Sequence, residues 1–481
     1  MNFAIVRFII GWVLEFEAAF LLLPALVGVF YGEMRTSLAF LVTAVLSLLV
    51  GFLLKRKKPA ARDLYTREGF VTVALSWIAM SAFGALPFFI TGEIPDYIDA
   101  LFEAVSGFTT TGASILTNVE ALSHASLFWR SFTHWIGGMG VFVFIMAILP
   151  LIGGGTTMNL MRAESPGPSV GKLVPRVRET AKILYEIYIG LTVVGAIVLC
   201  ACGLNLFESL TTIFGTVGTG GFGIYNDSIM SFSPLAQNMI TLFMILSGIN
   251  YTAYFCLIRR QFKGAFSIEE VRWYLLIILS SVGLITLNIY KMYPTFSETV
   301  RHAFFQVASI ITTTGFSTAD FDAWPQLSKT ILVLLMFVGA CSGSTGGGIK
   351  VTRIIILMKA LRKELAMMIH PRMVRKIQVD GRTLAHETLR AVNVFISVYF
   401  VLLFASVLAI SLDDFGFTTN FTAVVATLNN IGPGLDMVGP TQNFSIFSHF
   451  SKCVLIFDML AGRLELFPML ILLLPSCWKK Y

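Results

Sequence analysis

Four short stretches of the chain place a glycine among small, neutral oxygen ligands. They are Phe108-Thr109-Thr110-Thr111-Gly112-Ala113-Ser114, Thr216-Val217-Gly218-Thr219-Gly220-Gly221-Phe222, Ile311-Thr312-Thr313-Thr314-Gly315-Phe316-Ser317 and Thr427-Leu428-Asn429-Asn430-Ile431-Gly432-Pro433-Gly434. None carries a charge. Their chemistry is that of backbone carbonyls, which can replace the hydration shell of a bare cation. Threonine adds a hydroxyl acceptor without a charge. Glycine adopts backbone angles that other residues resist, and it lets several loops approach one axis closely. No Ser-His-Asp order stands out among the other polar residues. The six histidines form no ligand pattern, and the cysteines, Cys200, Cys202, Cys256, Cys341, Cys453 and Cys477, lack the spacing of a zinc site or a disulfide frame.

The elements that position these turns repeat with them. Each turn follows a short amphipathic segment, at 97–107, 206–215, 298–310 and 417–426. About ten residues are too few to span a bilayer but enough for a half-helix. Such a half-helix aims the negative end of its dipole at the middle of the membrane. The chain then returns as extended backbone, which is tolerated at that depth where it is buried in protein or lines water. The unit recurs about every hundred residues, so each repeat is a whole structural unit rather than a short solenoid repeat.

Composition sets these units in lipid. The chain has 481 residues, 56% apolar and 13% charged, where a soluble domain carries about a quarter charged. Long apolar runs occupy 38–54, 183–202, 275–289, 392–410 and 454–474, each a candidate spanning helix. The first apolar segment is followed closely by another and reads as a retained helix rather than a cleaved leader. Basic residues cluster at Lys55–Lys58 with Arg62 and Arg67, at 162–182, 259–272 and 353–390, and at Lys479-Lys480. The loops between carry acids instead: Glu93, Asp96, Asp99, Asp227, Asp320, Asp322, Asp413 and Asp414. Positive-inside asymmetry puts the basic set and both termini in the cytoplasm. The net charge of +7 is thus a topology signal, spread over the inner loops and not gathered into a nucleic-acid-binding face.

The expected fold is therefore an all-α integral membrane protein with about ten spanning helices. An N-terminal helix pair (1–68) precedes four pseudo-repeats of helix, pore half-helix, filter loop and helix around one pore, at 69–160, 161–265, 266–375 and 376–481.

Two features lie outside the four turns. Residues 339–348, GACSGSTGGG, interrupt a spanning stretch, and each glycine there costs a helix about 1 kcal/mol against alanine. Lys350 is not adjacent to the last glycine and no Ser or Thr follows it at once, so this is no phosphate-binding loop. It is either a kink with small packing residues or a flexible intramembrane segment below the turns. Arg463 sits in the last apolar run with Glu465 two residues on. A mid-membrane charge must face protein or water. Arg463 either pairs with Glu465 or another acid for packing, or places a positive charge by the pore. Lys350 and Arg353 read as interfacial anchors that snorkel, and Arg130 and His134 as packing or a polar network near the start of the first repeat's second helix.

The motifs TTTGAS (109–114), TGGF (219–222), TTTGFS (312–317), NNIGPGL (429–435), GSTGGGIK (343–350) and AGRLELFP (461–468) resemble the Trk/Ktr/HKT superfamily of potassium uptake proteins, over essentially the whole chain. The opening helix pair makes the resemblance one to the TrkH type. It implies a potassium filter at Thr110, Thr111, Gly112, Thr219, Gly220, Gly221, Thr313, Thr314, Gly315, Asn430, Ile431 and Gly432, with the filter glycines at Gly112, Gly221, Gly315 and Gly432. It implies a gate involving Gly343, Gly346, Gly347, Gly348, Lys350 and Arg463. Some plant relatives have serine at the first glycine and favour sodium; Gly112 points to potassium. The resemblance further implies a bacterial cytoplasmic membrane location, a homodimer with one pore per protomer, and a separate TrkA-like cytoplasmic subunit that binds nucleotide, since this chain has no GxGxxG. The competing readings are a potassium/proton or potassium/sodium symporter working by alternating access, which needs inverted repeats and midplane acids, and a membrane enzyme, for which no convergent catalytic groups are present.

Overall fold

The computed structural model describes residues 1–57, 65–152, 177–373 and 376–479. Lys58, Arg62, most of the basic stretch 162–182, Arg375, Lys480 and the boundary expected at 160/161 lie outside the described residues.

The chain is helical almost throughout. In order the helices are α1 (Phe3–Phe30), α2 (Met34–Lys55), α3 (Thr66–Thr91), α4 (Tyr97–Phe108), α5 (His124–Ile152), α6 (Val177–Ala201), α7 (Leu206–Val217), α8 (Pro234–Gly248), α9 (Tyr251–Ile258), α10 (Phe262–Ser267), α11 (Glu269–Ile289), α12 (Phe296–Ile311), α13 (Gln326–Val338), α14 (Val351–Ile369), α15 (His386–Ile410), α16 (Phe417–Leu428), α17 (His449–Arg463), α18 (Phe467–Leu472) and α19 (Pro475–Trp478). A two-residue hairpin, Gln378–Val379 with Arg382–Thr383, joins α14 to α15. Among the described residues six helices are long and apolar enough to cross a bilayer, and α8 with α9 adds a seventh if that pair, bent by 94°, is one span.

Leucines and valines remain exposed along α2, α11 and α15, where Leu38, Leu48, Leu279, Leu287, Val401 and Leu408 are each more than half exposed among the described residues. The core lies where the short helices converge. Phe102 and Phe108 of α4, Ile213 of α7, Phe305 and Ile310 of α12, and Val424 and Val425 of α16 are all buried in one cluster. Each short helix packs against a following helix: α4 on α5, α7 on α8, α12 on α13 and α16 on α17.

Their starts are locally encoded. Asp96 caps α4 by accepting from Ile98 and Asp99 N–H at 2.8 and 3.1 Å. Asn205 and Glu208 form a reciprocal capping box on α7, and Thr295 caps α12 from Glu298 N–H at 3.2 Å. Such caps satisfy amide donors that the helix itself leaves open. The fourth, α16, starts at Gly416 without a side-chain cap.

Candidate cation site

All four short helices end alike. Thr111, Gly220, Thr314 and Ile431 N–H reach back five residues to the carbonyls of Ser106, Gly215, Ser309 and Ala426, at 2.8–2.9 Å. The preceding residue in each loop also bonds back three residues, giving the two-bond Schellman arrangement. Its left-handed residue is normally glycine. Here it is Thr110 (φ 54°), Thr219 (φ 56°), Thr313 (φ 58°) or Asn430 (φ 56°). For an L-residue that geometry costs about 1–2 kcal/mol, so packing holds four local strains at one place.

Two residues on, Gly112, Gly221, Gly315 and Gly432 have φ between 80° and 95°. Gly221, rather than Gly220, shares the backbone geometry of the other three.

These glycines interlock. A β-carbon on Gly112 would collide with the carbonyl oxygen of Gly220, one on Gly221 with that of Thr314, and one on Gly315 with that of Ile431. A β-carbon on Gly432 would stand 2.9 Å from the carbonyl oxygen of Thr111. Each loop therefore abuts the next, and the fourth returns to the first. The loops form a closed ring in chain order, with the first opposite the third.

Residues from neighbouring helices brace the ring. His134 Nε2 accepts from Phe222 N–H at 3.1 Å, which leaves its Nδ1 protonated to donate to the Gly107 carbonyl at 2.8 Å. One imidazole so joins the first loop's helix to the second loop. Arg130 donates to buried Glu103 at 2.8 Å and to the Gly223 carbonyl at 3.1 Å, and its guanidinium lies on the Phe222 ring. Glu103 in turn accepts from Ser114 Oγ at 3.0 Å and from Ile115 N–H at 3.0 Å. Asn430 Nδ2 donates to Thr111 Oγ1 and to the Met459 carbonyl, both at 2.9 Å. Arg130 and His134 thus form the polar network that was one of two expectations from sequence.

The interrupted stretch runs from 339 to 350 without helix, with positive φ at Gly339, Gly343, Gly348 and Lys350. It lies directly against the ring. Gly347 N–H donates to Thr313 Oγ1 at 2.6 Å, and a β-carbon on Gly347 would press on the Asn429 carbonyl. Arg463 does not pair with Glu465. Its Nη1 donates to the Thr345 carbonyl at 2.9 Å and its Nη2 to the Gly137 carbonyl at 2.6 Å. Gly137 belongs to the helix after the first loop and Thr345 to the segment after the third. The guanidinium accordingly joins opposite sides of the assembly.

Glu465 binds Arg353 instead, and Arg353 also donates to the Ile349 carbonyl at 2.9 Å and covers the Phe395 ring. Lys350 Nζ bonds the Gly346 carbonyl. With exposures of 2% and 5%, Lys350 and Arg353 do not snorkel. Their heads turn inward because carbonyls and a carboxylate within the protein outcompete the distant interface.

At the mouth beyond the short helices several acids have structural partners. Asp99 pairs with Lys452 at 2.5 Å and Asp413 accepts from Ser448 N–H at 2.8 Å. Tyr225 donates to Glu208 at 2.6 Å, and this hydrogen bond, with burial and nearby acids, pushes its pKa up to about 12.

Sequence reading did not identify Glu270, Thr352 or Asn250, which lie outside the 339–350 segment and bond to it or to one another. Nothing in their spacing marks them; helix packing alone brings them together.

A membrane-embedded bundle, broken helices and a closed ring of neutral oxygen-bearing loops define an integral membrane protein of the ion-transport class. The TrkH family model, described as a cation transport protein, matches residues 36–480. The chain belongs to the TrkH family, whose members are transport proteins and not enzymes. It is 39% identical over 493 residues to the Trk system potassium uptake protein TrkH of Escherichia coli (strain K12), covering 100% of each. It is 32% identical over 481 residues to TrkG of the same strain, covering 99% of this chain and 98% of that one. Among solved structures, the potassium transporter TrkH from Vibrio parahaemolyticus superposes with a TM-score of 0.89 at 33% identity over 100% of both chains.

Proposed function

We propose that the chain is the pore-forming subunit of a potassium uptake system in the bacterial cytoplasmic membrane, conducting through a gated, channel-like filter. The observation that carries this reading is the ring closed by Gly112, Gly221, Gly315 and Gly432. Potassium, the transported substrate, sheds water into carbonyls contributed by Thr110, Thr111, Gly112, Thr219, Gly220, Gly221, Thr313, Thr314, Gly315, Asn430, Ile431 and Gly432. Neutral carbonyls suit a monovalent ion that must also leave. The C-terminal ends of four half-helices add negative potential on the cytoplasmic side of the ring.

The 339–350 segment, with Gly343, Gly346, Gly347, Gly348 and Lys350, and Arg463 form the gate. Arg463 supports this reading because its bonds to Gly137 and Thr345 cross between opposite sides of the ring. A charge fixed on that line repels a cation until it moves. The basic loops face the cytoplasm with both termini, and the basic stretches 162–182 and 368–390 suit docking of a separate nucleotide-binding subunit of the TrkA kind. Two copies of the chain pair in the membrane, each with its own pore.

The test is ion flux through purified protein in liposomes, with potassium and sodium compared. Gly112→Ser and Gly315→Ser are expected to lower discrimination between the two ions; unchanged discrimination in both removes the filter assignment. Deleting 343–347 is expected to raise basal flux. Unitary currents carrying many ions per opening would separate this mechanism from a potassium symporter with alternating access.

A further inference from the structure

The 339–350 segment shares an anchor with a second break in the bundle. Helices α8 and α9 meet at Ile249 and Asn250 with a 94° bend. The two irregular stretches are bonded backbone to backbone: Cys341 N–H donates to the Gly248 carbonyl at 3.1 Å, and Tyr251 N–H to the Gly343 carbonyl at 3.2 Å. Thr345 Oγ1 adds a bond to the Ser247 carbonyl at 3.3 Å.

One carboxylate gathers the ends of both. Glu270, in the first turn of α11 and 4% exposed, accepts from Ser342 N–H at 2.6 Å where the segment begins. It accepts from Thr352 N–H at 3.2 Å, and from Thr352 Oγ1, where the segment ends. Its other oxygen accepts from Asn250 Nδ2 at 3.2 Å, at the bend. All four groups are donors, which an ionised carboxylate can satisfy together and a neutral amide cannot. The start of α11 also favours negative charge there. The neighbouring Glu269 has a different task, an ion pair with Lys359 at 2.6 Å. Among the described residues Glu270 forms no contact ion pair, and these four donors meet its two oxygens directly.

We infer that Glu270 is the positioning residue that holds the 339–350 segment closed, and that it couples this segment to the α8–α9 bend so that the two release together. The inference rests on the reading of that segment as the gate. Glu270 lies behind the segment and has no contact with the ring; it acts through the backbone that it fixes.

The experiment reads the segment's position and the flux separately. Cys341 is fully buried at the start of the segment, so its modification by N-ethylmaleimide reports opening. In a chain keeping Cys341 as its sole cysteine, Glu270→Ala is expected to speed Cys341 labelling about tenfold and to raise basal potassium flux in liposomes comparably. A tenfold change corresponds to about 1.4 kcal/mol of lost preference for the closed form. Thr352→Val and Asn250→Leu, which each remove part of the donor set, are expected to give smaller rises in both, and they carry the test alone if Glu270→Ala does not insert. In a chain lacking 343–347, Glu270→Ala is expected to add nothing to the flux. Wild-type labelling and flux in Glu270→Ala, or an equal flux increase without the segment, overturns the proposal. Faster labelling with flux unchanged, in Glu270→Ala and in the deletion alike, overturns the gating reading instead.

Discussion

The first three loops of the ring and the fourth share a backbone and differ in nearly every support. Loops one to three follow helices with side-chain caps at Asp96, Asn205 and Thr295 and an acid in the first turn. The fourth helix has neither. The first three place threonine at the left-handed position; the fourth uses Asn430. A β-carbon on their glycines would stand 1.9–2.0 Å from a neighbouring carbonyl oxygen, whereas one on Gly432 would stand 2.9 Å away, a milder clash. What the fourth loop lacks at its helix start it recovers from its surroundings: Asn430 bonds Thr111 of the first loop and Met459 of the following helix, and Asn429 bonds Tyr399 of the preceding helix at 2.8 Å. The same backbone can thus be held by its own helix or by its neighbours.

The sharpest way to break this contrast is at the glycines. Gly221→Ser should abolish most discrimination of potassium over sodium, about tenfold for each 1.4 kcal/mol of misfit, because no movement short of opening the ring relieves the clash with Thr314. Potassium and sodium uptake into liposomes would measure it, and retained discrimination would mean that the ring yields. Gly432→Ser should do less, with discrimination between wild type and Gly221→Ser; an equal loss at both sites would erase the difference inferred from their spacing. Asn430→Thr imposes the pattern of the other loops on the fourth. It strips two bonds from buried partners, a loss of about 1–3 kcal/mol each where a group is left unsatisfied. A lower midpoint of thermal unfolding in detergent is expected, and an unchanged midpoint would show that a threonine suffices there. The smallest effect is expected from Gly416→Asn, which gives α16 the missing cap and should raise that midpoint slightly, by a few tenths of a kcal/mol.

The short helices were legible in sequence because their signals are local. The segments expected at 97–107, 206–215, 298–310 and 417–426 appear as Tyr97–Phe108, Leu206–Val217, Phe296–Ile311 and Phe417–Leu428. All four C-terminal ends run one or two residues further, since the Schellman bonds carry each helix into its turn. Gly220 and Gly221 were ambiguous as letters and distinct as backbone angles. The polar contacts beneath the ring were illegible for another reason. Proximity in sequence pairs Glu465 with Arg463, but the turn at Glu465 and Leu466, both with positive φ, separates the two side chains and delivers the acid to Arg353. Glu270 lies 72 residues before Ser342, the first group of the segment that it binds, and no periodicity links the two.

A ring closed within one polypeptide also changes how the ring can evolve. In a pore made of four identical subunits, symmetry repeats every substitution at all four positions, so a tentative change is taken in quadruplicate or not at all. Here each quadrant has its own codons. The Asn-Asn-Ile-Gly-Pro quadrant is what such independence permits: one wall can differ in its side chains while the backbone shared by all four is kept.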